Sequence, residues 1–184
     1  MSSAAPTESP LTNLFTDADI ASILRERRWL DPARDIESDA PLQPWLARAA
    51  ALLGPHAHDR AALADLLSLV FNYDAAAFLQ DAENHRALAR EGARDVIREL
   101  ANRVLDGGDI DSDCFKEIID GMKAALPHRG RALFFPIRLA LAGRTGEGEL
   151  DRVILLLDSA AKLSFAAPVK GTRERMLEFC AALD

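Results

Sequence analysis

Between Pro127 and Gly146 the chain carries four arginines, Arg129, Arg131, Arg138 and Arg144, and no acidic residue. The chain as a whole has a formal net charge of −7, so this stretch is a basic island in an acidic protein. Guanidinium groups offer planar donor forks that fit phosphates, carboxylates and base edges. An island of this kind is what a local phosphate contact requires. Other side chains with chemical potential are poorly placed. His56 and His58 stand two apart in a loop and have no third ligand nearby, so no metal site is expected. Cys114 and Cys180 are too far apart in sequence to suggest a disulfide framework or a metal pair, and each falls on the apolar face of a predicted helix as a buried thiol. There is no Gly-rich phosphate loop and no Ser-His-Asp or Cys-His arrangement. No catalytic residue, cofactor or metal is expected.

Pro136 sets the expected geometry of the island. A proline disfavours the helical conformation in the residue before it and suits the first position of a new helix. Gly143 suits the position just past a helix end. The sequence therefore predicts an extended Phe134-Phe135 and a short helix from Pro136 to Ala142, with Ile137, Ala140 and Leu141 inward. Arg138 then falls in the first turn, where a cation is unfavourable unless an anion or a core carboxylate meets it.

The elements that must hold this stretch read as helices. Thr16 and Asp17 offer N-cap oxygens before Ile20, Ile23 and Leu24, and the first helix is expected to end near Arg28 or Trp29. Pro41–Leu53 forms a second helix, stopped by Gly54-Pro55. Asp59 caps a third, with Leu63, Leu66, Leu67 and Val70 as its stripe and Phe71, Asn72 and Tyr73 at its end, and a short helix from Asp74 to Leu79 follows. Asn84–Leu105 is the longest periodic segment. Its arginines alternate with acids as a solvated face, and Leu88, Val96, Ile97, Leu100, Val104 and Leu105 point inward. Ser112 or Asp113 caps the next helix, Glu147 or Glu149 opens another, and Thr172 caps the last, with Met176, Leu177, Phe179, Cys180 and Leu183 on it. No period-2 run of useful length survives. The fold class is all-α, a bundle or cage of about eight helices. Residues 1–14 are read as a flexible tail, 15–110 as an N-terminal helical subdomain and 111–184 as a C-terminal subdomain that carries Pro136-Ile137-Arg138. With 184 residues and 49% hydrophobic composition the chain can build a sizeable core. It shows no secretory signal and no apolar run long enough for a membrane, so a cytoplasmic protein without membrane contact is expected. The oligomeric state is not legible.

The run from Gly130 through Phe135-Pro136-Ile137-Arg138 to Gly143, followed by Glu149-Leu150 at a helix start, resembles the C-terminal anticodon-binding region of bacterial glutamyl-tRNA synthetases. That pattern runs Gly-Lys, an apolar pair, Pro-Leu-Arg, an apolar helix, Thr-Gly, a short loop, and Gly-Pro-x-Leu. The resemblance implies an all-α cage that reads a tRNA anticodon, with base contacts from Arg138 and Leu150; the basic island adds Arg129, Arg131 and Arg144 as candidate RNA-binding residues. Ala142 and Gly148 stand where the pattern has Thr and Pro, and Glu147 places an acid in the loop that approaches RNA. The nucleotide-binding HIGH-like and KMSKS-like motifs of a synthetase catalytic domain do not occur, so aminoacylation by this chain alone is not expected. Two functions follow as expectations. One is non-catalytic binding of tRNA or structured RNA. The other is a protein-interaction scaffold, with a synthetase or another protein as partner, that has lost RNA binding.

Overall fold

The computed structural model describes residues 12–183; of the tail predicted for residues 1–14, residues 1–11 lie outside them. All regular structure among the described residues is helical. Ten α-helices are found: α1 (Asp17–Glu26), α2 (Leu42–Leu53), α3 (Arg60–Phe71), α4 (Ala75–Phe78), α5 (Ala82–Leu88), α6 (Ala93–Asp106), α7 (Ser112–Ala125), α8 (Arg131–Ala142), α9 (Glu149–Ala161) and α10 (Thr172–Leu183). A single 3-10 turn, Gly54–His56, ends α2.

Local signals explain most boundaries. Thr16 accepts from the Asp19 amide while the Asp19 carboxylate accepts from the Thr16 amide, a reciprocal capping box that starts α1. The helix ends earlier than predicted, at Glu26. Arg28 takes a left-handed φ of 60°, the Arg28 amide donates to Arg25 O, and the Trp29 amide donates to Leu24 O. This pair of bonds closes the helix and turns Trp29 into the core. Asp59 caps α3 as predicted, whereas α7 is capped by Asp111 rather than by Ser112 or Asp113.

Two predicted boundaries give way to tertiary geometry. The single segment Asn84–Leu105 is broken into α5 and α6 at Gly92, whose φ is +81°. A Cβ there would lie 2.0 Å from the His128 ring, which would have to turn aside, and the backbone angle itself favours glycine. With the break, Leu88 and Leu105 are only half-buried. Pro136, in turn, lies inside α8 and does not start it. The missing amide sacrifices one bond, to the carbonyl of exposed Ala132. An interior proline costs roughly 3 kcal/mol. Leu133, Ile137, Ala140 and Leu141 are all fully buried by the continuous helix, and the larger three side chains are each worth about 1.5–3 kcal/mol. Burial wins.

α9 is the central helix. It packs on α2, α3, α8 and α10, and Leu150, Val153, Ile154, Leu156 and Leu157 are completely enclosed. α8 packs on α6, α9 and α10, and α10 also meets α4 and α6. One contiguous apolar cluster runs through residues on both sides of position 110. At one end Trp29 stacks on Phe71 at 4.6 Å, and Phe165 meets the edges of Phe71 and Trp45 at 5.0 and 5.1 Å. The start of α10 is held by a neighbour. The Asp158 carboxylate accepts from the Thr172 amide and hydroxyl and from the Ile110 amide. Cys114 and Cys180 are half-buried rather than enclosed.

Candidate nucleic-acid interface

Arg138 projects from the second half of α8, not from its first turn, because α8 already begins at Arg131. Its guanidinium meets Asp151 as a two-pronged fork, Nε to Oδ1 at 2.8 Å and Nη2 to Oδ2 at 2.9 Å. Nη1 donates to Gly146 O at 2.7 Å, and the group lies 4.8 Å from the Phe134 ring centroid. The Arg138 side chain is 8% exposed and Asp151 20%. Asp151 occupies the first turn of α9, where a carboxylate also suits the helix dipole. Arg138 thus ties α8 to the start of α9 and fastens the loop between them.

The other predicted residues do not converge on it. Leu150 is 0% exposed; Gly146 lies so close above it that a Cβ would come within 2.8 Å of Leu150 Cδ1. Arg129 turns back on the C-terminal end of α7 and donates to the carbonyls of Lys123, Leu126 and His128. That placement compensates acceptors a helix end leaves open. Arg131 pairs with Glu147 at 3.1 Å, with side chains 73% and 63% exposed. Arg144 reaches across to Asp65 of α3 at 2.7 Å. The structure brings Arg131 and Arg138 together around Glu147, whose Oε2 is 4.0 Å from Arg138 Nη1, and sends Arg129 and Arg144 elsewhere. Gly130, with φ +53°, supplies no side-chain cap to α8.

A second buried arginine escaped the sequence reading. Arg175 is 0% exposed and donates to three carbonyls: Lys170 at 2.9 Å, Leu141 at 2.8 Å and Val70 at 2.6 Å. Val70 and Leu141 lie in the last turns of α3 and α8. Two negative helix ends therefore take the place of a carboxylate. The guanidinium also lies 4.5 Å from the Tyr73 ring. Burial lowers Arg175 to about 10, so it stays charged at neutral pH. Tyr73 reaches the carbonyls of Ala140 and Arg175 through its hydroxyl, and burial pushes its ionisation well above the usual range. The signal for Arg175 was its spacing: Thr172, Arg175, Met176 and Phe179 form the buried face of α10. Leu177 and Leu183, on the same helix, are 52% and 42% exposed.

No group of three His, Cys, Asp or Glu among the described residues could hold a metal ion. No helix among them is long and apolar enough to cross a membrane.

Comparison with known proteins places this geometry. The family described as "Anticodon binding domain" matches residues 22–163, well over half of the chain. Glutamate--tRNA ligase 2 of Syntrophus aciditrophicus is 27% identical over 120 residues, which cover 62% of this chain and 23% of that protein. Glutamate--tRNA ligase of Bacillus licheniformis is 28% identical over 115 residues, with the same coverage of each chain. The protein therefore spans about a quarter of the length of the curated relatives it matches. No solved structure matches it. An all-α architecture centred on α8 and α9, together with the match over residues 22–163, establishes that the chain belongs to the anticodon-binding domain family.

Proposed function

We propose that the protein is a non-catalytic binder of tRNA, or of a structured RNA of similar shape, which it grips by the phosphate backbone more than by base edges. The family match over residues 22–163 carries this reading. The ion pairs decide how each arginine takes part. Exposed pairs such as Arg131–Glu147 and Arg144–Asp65 are worth about 0–1 kcal/mol, so a phosphate can displace the carboxylate. Separating a buried pair costs about 3–5 kcal/mol, so Arg138 stays with Asp151 and positions the loop between α8 and α9. Leu150, fully enclosed, supports that loop from beneath. Direct base contact by Arg138 and Leu150, which the resemblance implied, is not part of this proposal.

A fluorescence-anisotropy titration with a glutamate tRNA transcript, repeated at several salt concentrations, tests it. Binding is expected at low salt, with a slope of log affinity against log salt of roughly −0.7 to −0.9 per phosphate neutralised. The double variant Arg131→Ala, Arg144→Ala is expected to flatten that slope. No binding at low salt would overturn the proposal.

One observation favours a second reading, the protein-interaction scaffold. Glu147, Asp151 and Asp65 together occupy three of the four arginines of the basic island. Capture of a protein partner from nuclease-treated extract, in the absence of tRNA binding, would support it.

A further inference from the structure

A groove of about 1030 Å³ opens between the α4–α6 segment and the last turn of α10. Its floor is apolar. Leu79, Leu88, Ile97 and Leu183 line it, with four alanines among them. Leu183 is one of the large apolar side chains left exposed, at 42%. Arg90, Arg94 and Arg98 stand along the same groove, and Asp95 is the one acidic residue lining it among the described residues. Arg94 and Arg98 are one helical turn apart on α6, and Arg90 precedes them in the turn before it. Arg98 approaches Asp95 at 3.4 Å and Arg90 lies 5.8 Å from the Phe135 ring. Arg94 is exposed and makes no hydrogen bond or ion pair with any described residue. A positive, apolar groove on a chain of net charge −7 marks a site selective for charge as well as for shape.

The geometry points to this groove as a docking site for an acidic amphipathic helix of a partner protein. A helix in a groove is read by apolar anchors at i, i+3 and i+4. The leucines and Ile97 offer the complementary floor, and the alanines let a helix backbone come close. Arg94 and Arg98 stand about 6 Å apart along the α6 axis. Carboxylates spaced i, i+4 on the flank of an incoming helix match that spacing. Along α6 the groove runs from Arg94 to Asn102, about 12 Å, or about eight helical residues. A nucleic-acid strand fits less well, because no aromatic ring among the described residues lines the groove to stack a base. The inference goes beyond the RNA proposal and does not rest on it, since neither Arg131 nor Arg144 lines this groove.

The test uses a fluorescent designed peptide of about 14 residues, with leucines on one face and glutamates at i, i+4 beside them. Comparators are the same peptide with lysines for glutamates and a single-stranded RNA of similar length. The acidic peptide is expected to bind the full chain, with affinity falling as salt rises. Arg94→Glu should weaken it about tenfold, as should substitution of lysine for glutamate in the peptide. Leu183→Ser should weaken it independently of salt, and Arg144→Ala should leave it unchanged. Because Arg94 and Leu183 are exposed, unchanged circular dichroism should accompany both variants. Three outcomes each overturn the proposal: no binding of the acidic peptide, equal binding of both peptides, or Arg94→Glu reducing affinity for RNA and not for the acidic peptide.

Discussion

Arg138 and Arg175 are both buried guanidinium groups, yet the protein holds them by different means. Arg138 has a carboxylate, Asp151, at 2.8 and 2.9 Å from its fork. Arg175 has none in contact and instead spans carbonyls at the ends of α3 and α8 and in the loop before α10. The first site joins two consecutive helices near the surface. The second joins three distant parts of the chain at the centre. A charged pair concentrates its energy in one partner, whereas a guanidinium shared among carbonyls spreads it over the backbone of several elements. Loss of Arg138 therefore leaves one orphan carboxylate that water can partly reach, whereas loss of Arg175 leaves two buried carbonyls, of Val70 and Leu141, without their donor.

The sharpest way to break the comparison is Arg175→Met, which keeps much of the volume and removes every donor. Each buried acceptor left unsatisfied costs about 1–3 kcal/mol, so with the Val70 and Leu141 carbonyls stranded the variant should lose roughly 2–6 kcal/mol or fail to fold. Urea denaturation would measure this. Arg175→Lys should recover only part of it, since an ammonium cannot present a planar fork to three acceptors at once. A variant as stable as the parent would mean that the carbonyls find other partners and that the site does not link the helices.

At the other site the decisive measurement is a double substitution. Arg138→Ala should cost roughly 3–5 kcal/mol by stranding Asp151, but replacing both Arg138 and Asp151 with leucine should come close to neutral. If the double variant is as damaged as the single one, the bond from Arg138 to Gly146 O, not the ion pair, carries the energy.

The same two sites mark how far the sequence could be read. The helices of the core were legible because their apolar residues recur at helical spacing and their caps, Thr16 and Asp59, are local. Gly92 was visible as a glycine, but its neighbour His128 comes from a loop far along the chain, so the break it makes was not. Pro136 obeyed local rules that burial of Leu133 and Ile137 overrode. The sequence allowed a core carboxylate as Arg138's partner without identifying it as Asp151. Arg175 stood at the spacing of an inward residue, but charge is ordinarily a reason to place a side chain outside. The acceptors that reverse this rule belong to the backbone, which no residue type announces.

Tyr73 offers a smaller and selective probe of the Arg175 site, because the chain has one tyrosine. Its folded-state ionisation is raised by burial, so the folded protein resists loss of that proton. The associated stability is fully present below pH 10, the ordinary tyrosine value, and is lost as pH rises through the higher folded value. Arg175 acts in the opposite sense above about pH 10, where its own lowered value favours deprotonation in the folded state. Tyrosinate absorbance separates the two. In the parent it should not grow until the protein unfolds, whereas in Arg175→Lys it should appear at lower pH. A parent that titrates near pH 10 while still folded would show that water reaches the Tyr73 hydroxyl.

The smallest expected effect on stability is at Arg131, and it completes the contrast between buried and exposed cations. Its pair with Glu147 is 73% and 63% exposed, so Arg131→Ala should change stability by less than about 1 kcal/mol. Affinity for RNA should respond in the other direction from stability when Glu147 is removed. Glu147→Gln frees Arg131 and takes away a carboxylate 4.0 Å from Arg138, so it should tighten tRNA binding several-fold at low salt and hardly at all at high salt. An anisotropy titration of the parent, Arg131→Ala and Glu147→Gln orders the three. If Glu147→Gln leaves affinity unchanged, phosphate does not approach this loop. The exposed pair then serves only to hold the α8–α9 connection, as the buried pair beneath it does.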